Sequence, residues 1–167
     1  RANAPIKGLN FPLRGWKKEV YEGGIRVPAF IHWPKELKTA KVTVPVHVVD
    51  WMPTLCALLD IPEPDSAKWD GVNIWPLLKG EEPAELADRE FYWQGVNRKS
   101  AALRQGNWKL VLHRGQEKDR IELFDLSQDP NEIEDLSQEQ ASRVAALIRA
   151  LAEQEKRDND ALPVDTK

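Results

Sequence analysis

Two adjacent lysines, Lys17 and Lys18, precede a Gly23-Gly24 pair in the stretch Pro12–Pro28, PLRGWKKEVYEGGIRVP. A lysine ammonium beside a sharp Gly-Gly turn is a compact cation suited to an oxyanion. Glycines there give the backbone freedom to turn tightly or to approach a bound group closely. Lys17 is therefore a candidate anion ligand, and Trp16 beside it is the best-placed tryptophan for touching a substrate. The same residues have a plainer use, since Lys-Lys-Glu runs are mostly solvated faces and Gly-Gly mostly marks a loop.

Little else in the chain offers chemistry. Cys56 is the only cysteine, which excludes an intrachain disulfide and a cysteine-based metal site. Its apolar setting from Pro53 to Leu59 predicts a buried, inert thiol. His32, His47 and His113 show no ligand spacing and read as packed or surface imidazoles. Seven tryptophans are many for 167 residues, and Trp33, Trp51 and Trp108 are expected in the core. A net charge of −3 argues against a general nucleic-acid surface, and 41% hydrophobic with 31% charged residues fits a globular chain. The longest apolar run, Val42 to Ile61, is interrupted by Pro45, His47, Asp50 and Pro53, so no membrane span is expected. No leader of a charged start, an apolar core and a cleavage site is read in the opening residues.

The elements that must position Lys17 follow from periodicity. Val27 to Trp33, bounded by Pro28 and Pro34, predicts a short buried strand. Asp50 is a natural N-cap for a helix whose Leu55, Leu58 and Leu59 form an apolar face, stopped by Ile61-Pro62. Glu81 to Arg89 reads as a charged linker. Beyond it, strands are predicted at Phe91–Trp93, Ser100–Arg104, Trp108–His113 and Ile121–Leu126, with Gln105-Gly106-Asn107 turning between the second and third. Short strands with tight connections argue for an antiparallel sheet. A last helix is predicted with Ser137 as N-cap and Gln140 as its capping-box partner. Val144, Leu147, Ile148 and Leu151 give it one apolar stripe, able to cover a sheet face.

Leu13-Arg14-Gly15-x-Lys17 followed by Tyr21-Glu22-Gly23-Gly24-x-Arg26-x-Pro28 resembles a signature of the formylglycine-dependent sulfatases, the arylsulfatase A and B types in particular. The segments Val49-Asp50-x-x-Pro53-Thr54-Leu55, Trp75 to Gly80, Arg104 to Leu110 and Leu123 to Glu132 resemble later stretches of the same family, in the same order. The resemblance runs from Leu13 to about Leu151, and it identifies the chain as the C-terminal portion of a sulfatase.

That resemblance implies an α+β chain. Residues 1–84 would be the end of an alkaline-phosphatase-like α/β catalytic domain. Residues 85–167 would be a small four-stranded antiparallel sheet packed by a C-terminal helix. It implies that Lys17 contacts the sulfate of the substrate, an aryl sulfate or a sulfated glycan. Calcium, the formylglycine and the catalytic histidines are implied upstream of this sequence, so the chain alone is expected to hydrolyse nothing. Arg14, Glu22 and Arg26 are expected to be structural, Glu22 and Arg26 as an ion pair or as supports of the turn. The implied partner is the remainder of the catalytic domain, and a periplasmic, secreted or lysosomal setting is usual for the family. Two other readings stay open: a related phosphoester hydrolase, and a non-catalytic glycan-binding module resting on the tryptophans.

Overall fold

The computed structural model describes residues 10–63 and 68–158. Its helices are α1 (Glu22–Ile25), α2 (Trp51–Leu58), α3 (Trp75–Leu78) and α4 (Ala141–Arg157). Its strands are β1 (Glu90–Gln94), β2 (Ser100–Gln105), β3 (Trp108–His113) and β4 (Arg120–Asp125). The chain divides into two compact units, one joining the residues up to Pro28 to Glu90–Arg157, the other built on Ala29–Arg89.

In the first unit the strands form an antiparallel meander in the order β1-β2-β3-β4, as the sequence predicts. Gln105 pairs with Trp108, which leaves Gly106 and Asn107 as a two-residue turn. Gly106 takes φ +57 there, a conformation that costs glycine least. The period of two sends Ala101, Leu103, Leu110, Leu112 and Leu123 to one face, where Leu147 and Leu151 of α4 close over them. Val144 and Ile148 pack at the edge of this cluster, so the predicted apolar stripe is the one used. The other face carries Ala102, Val111 and Phe124, and it is covered by Val20 and Tyr21 from the N-terminal segment. Because both faces are covered, Lys109 through Leu112 are buried without alternation.

Helix α4 starts at Ala141, not at Ser137. The Asp135 carboxylate accepts from Ser137 N (2.9 Å) and from Leu123 N (3.0 Å), so the preceding residues are held as a separate turn against β4. Ser137 therefore cannot act as the helix cap.

The second unit departs further from expectation. Residues 27–33 form no strand, and Phe30 is 93% exposed. Pro28 and Pro34 remove two backbone donors, and no described strand lies alongside to pair with the run. Helix α2 forms where predicted, but it buries Thr54, while Leu55 and Leu59 face outward. Trp33 and Trp51 are exposed too, Cys56 is half-buried, and Trp108 is half-buried beneath Arg143, whose guanidinium lies 4.2 Å from the ring centroid.

Asp50 is fully buried, yet its side chain does not cap α2. It accepts instead from His47 N (2.7 Å) and Val72 N (3.1 Å) and pairs with Arg89 (2.7 Å). Thr54 extends the knot, donating to Asp50 O (2.6 Å) and accepting from Ile74 N (3.0 Å). The unit thus rests on a polar knot with a small apolar core of Ile74, Leu77 and Leu86, and leaves many of its other apolar side chains outside.

Leu110→Ala and Leu55→Ala test this contrast. Leu110 is fully buried under α4, and its truncation should cost about 2–5 kcal/mol in chemical denaturation. Leu55→Ala in the same chain should stay within about 0.5 kcal/mol.

Candidate anion-binding site

The Lys17 loop is closed on itself. Trp16 N donates to the Glu19 carboxylate (3.1 Å), and Glu19 N donates back to Trp16 O (3.0 Å). Gly15 at φ +88 and Lys18 at φ +84 supply the two reversals. The result places Trp16 and Lys17 side by side on the outside, Trp16 being 37% exposed. The Lys17 ammonium has no hydrogen bond or ion pair to any described residue. It is a cation with its full charge on offer.

Gly23 and Gly24 lie directly beneath that loop. A Cβ on Gly23 would stand 2.5 Å from Gly15 O and 2.6 Å from Arg14 O, and one on Gly24 2.1 Å from Glu19 O. The pair is needed for close approach, not for positive φ. Gly23 N donates to Arg14 O (2.7 Å), and Asn10 Nδ2 donates to Gly23 O (2.5 Å). Loop and glycine turn are therefore one body.

That body is fixed to the sheet through charge. Lys109 of β3 is 0% exposed, and its Nζ lies 2.9 Å from Glu22 Oε1 and 2.7 Å from Glu132 Oε1. Glu132 also accepts from Glu22 N through Oε2 (2.6 Å). Burial lifts the Glu132 carboxyl above its ordinary value, and Glu22 adds to this against the pull of Lys109. Of the two roles expected for Glu22 and Arg26, the ion pair does not form and the hydrogen-bonded turn does: Arg26 is exposed, and its backbone N–H donates to Glu22 O (2.8 Å). Glu22 is drawn inward because Lys109, buried at the same place, has no water to stabilise it.

Arg14 makes a second attachment. It donates to Glu132 O (2.9 Å) and to Glu122 Oε1 (3.1 Å), with its guanidinium 4.1 Å from the Tyr21 ring centroid. The Tyr21 hydroxyl donates to Glu122 Oε2 (2.5 Å), His113 Nε2 stands 2.9 Å from that hydroxyl, and Arg120 pairs with Glu122 (2.9 Å). Burial alone raises the Glu122 carboxyl, but hydrogen bonds from His113 and Tyr21 and the charges of Arg14 and Arg120 outweigh it and bring it down to about 2. Burial, then the bond to Glu122, pushes Tyr21 up to about 12.

The arrangement can present one cation and one indole to an anionic ligand. Among the described residues no group of three or more His, Cys, Asp or Glu side chains could hold a metal ion. The buried carboxylates Glu22, Glu122, Glu132 and Asp50 are each taken by a cationic side chain. Calcium does not fit these residues.

Sequence reading singled out Lys17, Trp16, Arg14 and Glu22 but missed Lys109, Glu132, Glu122 and Tyr21 as their supports. One signal was available: a lysine at the position of β3 sharing a face with Val111 must be buried, and so must find carboxylates.

Residues 14–159 match the family model described as N-sulphoglucosamine sulphohydrolase, C-terminal. Steryl-sulfatase of Mus musculus is 34% identical over 105 residues, covering 62% of this chain and 16% of that protein. N-acetylgalactosamine-6-O-sulfatase of Bacteroides thetaiotaomicron is 27% identical over 151 residues, covering 83% of this chain and 29% of that one. A crystal structure of Ps i-CgsB in complex with k-i-k-neocarrahexaose superposes with a TM-score of 0.75 at 32% identity, over 91% of this chain and 33% of that chain. The chain spans about a third or less of the length of the curated relatives cited. No helix among the described residues is long and apolar enough to cross a membrane.

The Glu122 cluster predicts an acid sensitivity. A carboxylate held at about 2 against an ordinary 4.5 contributes stability above about pH 4.5 and loses it as the pH falls toward 2. Thermal unfolding followed from pH 7 to pH 2 should show a falling midpoint across that window. Glu122→Gln should lower the midpoint at pH 7 and flatten the fall.

Proposed function

This chain belongs to the sulfatase family, and we propose that it is the C-terminal part of an enzyme hydrolysing sulfate esters, with Lys17 as a ligand of the substrate sulfate. The observation that carries this reading is the Lys17 ammonium, unpaired among the described residues and set on a loop that the sheet braces from below. A fixed cation beside a sulfuryl oxygen stabilises the charge that grows as the ester bond breaks, and being held in place it need not reorganise. Trp16 lies next to it and offers an apolar face to an aryl or sugar group.

Residues 1–84 are read as the end of the catalytic domain and 85–167 as the C-terminal subdomain. The segment 10–28 serves both, catalytic through Lys17 and anchored on the sheet through Glu22. The family's calcium and formylglycine are assigned to residues outside this sequence, and the chain by itself is expected to be inactive. The substrate class, an aryl sulfate or a sulfated glycan, is supported by relatives named as steryl- and N-acetylgalactosamine-6-O-sulfatases and by the neighbour bound to k-i-k-neocarrahexaose.

The remainder of the catalytic domain is the partner that would cover the outward apolar residues of the second unit, among them Phe30, Ile31, Trp33, Met52 and Leu59. The isolated chain should therefore bind an environment-sensitive dye such as ANS, and the full-length protein should bind much less. Equal binding by the two would remove the partner.

In the full-length protein Lys17→Ala should lower kcat on 4-nitrophenyl sulfate by about 10²–10³-fold, the scale of losing one positioned charge contact. Turnover near the parent value would show that Lys17 does not meet the sulfate.

A further inference from the structure

We propose that Lys109 is a positioning residue for Lys17: through Glu22 and Glu132 it sets the Gly23-Gly24 turn on which the Lys17 loop rests. The proposal depends on the reading of Lys17 as the sulfate ligand for its kinetic consequence, but not for its structural one.

The connection is continuous. Lys109 Nζ holds Glu22 Oε1 at 2.9 Å and Glu132 Oε1 at 2.7 Å, and Glu132 Oε2 accepts from Glu22 N at 2.6 Å. Side chain and backbone of Glu22 are thus both fixed, one by Lys109 directly and one by the carboxylate that Lys109 holds. Gly23 and Gly24 follow immediately in sequence. They approach the main-chain carbonyls of Leu13, Arg14, Gly15, Trp16 and Glu19 so closely that a single methyl group would collide. The Lys17 loop has no room to move independently of Glu22.

Burial gives this attachment its direction. Lys109 sits on a central strand, 0% exposed, hydrogen-bonded in register between β2 and β4. Glu22 and Glu132 are buried at 4% and 0%. An ammonium out of water must keep its carboxylates within contact distance, whereas an exposed pair could part at little cost. The three side chains consequently have one arrangement, and the loop inherits it. A displacement of about 1 Å in a charge that stabilises a transition state can cost about 10²-fold in rate.

The test uses the full-length protein, 4-nitrophenyl sulfate as probe, and the variants Lys17→Ala, Lys109→Met and the two combined. Lys109→Met should lower kcat by about 10–10²-fold with a smaller change in KM. The double variant should be no slower than Lys17→Ala alone, because Lys109 acts only through Lys17. Hydrogen exchange should quicken in residues 12–26 of Lys109→Met while β2, β3 and α4 keep their protection. A merely structural role would instead make the two losses multiply, since a smaller folded fraction reduces every variant alike. Multiplying losses, an unchanged kcat, or unchanged exchange in 12–26 would each overturn the proposal.

Should Lys109→Met fail to fold because two buried carboxylates lose their cation, the triple variant Lys109→Met, Glu22→Gln, Glu132→Gln removes that charge and carries the same test. It should recover the melting temperature without recovering kcat, and recovery of both would overturn positioning. If Lys17→Ala itself leaves turnover intact, the sulfate-ligand reading falls, and the exchange measurement alone still decides whether Lys109 holds the loop.

Discussion

A lysine ammonium with no access to water dictates the architecture of the first unit. Lys109 stands in the middle of a four-stranded sheet with 0% exposure, and such a charge survives only if carboxylates come to it. Glu22 arrives from 87 residues earlier in the chain, and Glu132 from the turn after β4. Each brings its neighbourhood with it. The N-terminal segment is consequently laid across one face of the sheet while α4 covers the other.

Charge and packing divide the work on that face. Val20, Tyr21, Val111 and Phe124 supply apolar contact, at about 1.5–3 kcal/mol for each fully buried large side chain. Apolar contact is non-directional, and by itself it would let the segment slide. The paired carboxylates of the Lys109 cluster, together with the Arg14–Glu122–Tyr21 cluster beside it, fix the register. The loop that emerges above them then carries Lys17 in a defined place. Rigid support beneath an exposed cation is the condition for electrostatic stabilisation of a sulfate ester in its transition state.

The sheet was legible in the sequence because its signals are local. The short apolar run Trp108–His113, the Gly106-Asn107 turn and the 3-4 spacing of Val144, Leu147, Ile148 and Leu151 each specify their element without help from distant residues. The failures have a common cause in partners that periodicity does not reveal. Val27–Trp33 has the composition of a buried strand, but pairing decides whether an apolar run becomes one, and no described strand pairs with it. Leu55 and Leu59 lie at helical spacing, yet spacing says only that they share a face, not what covers it. Ser137 does not cap α4 because Asp135, two residues away, accepts from its N–H and from Leu123 N of β4 and so holds it in a separate turn before the helix. The site divides in the same way. Lys17 and Trp16 could be named from a linear motif, whereas the Glu22–Lys109 contact joins residues far apart in the chain.

The central claim is that the sheet holds the Lys17 ammonium where a substrate sulfate binds. The most direct measurement is a crystal structure of the full-length protein with inorganic sulfate bound at its catalytic centre. The account predicts Lys17 Nζ within about 3 Å of a sulfate oxygen, the range of a charge-assisted hydrogen bond, with Lys109 still buried between Glu22 and Glu132. A sulfate bound by other residues, with Lys17 directed into solvent above an intact Lys109 cluster, would contradict it.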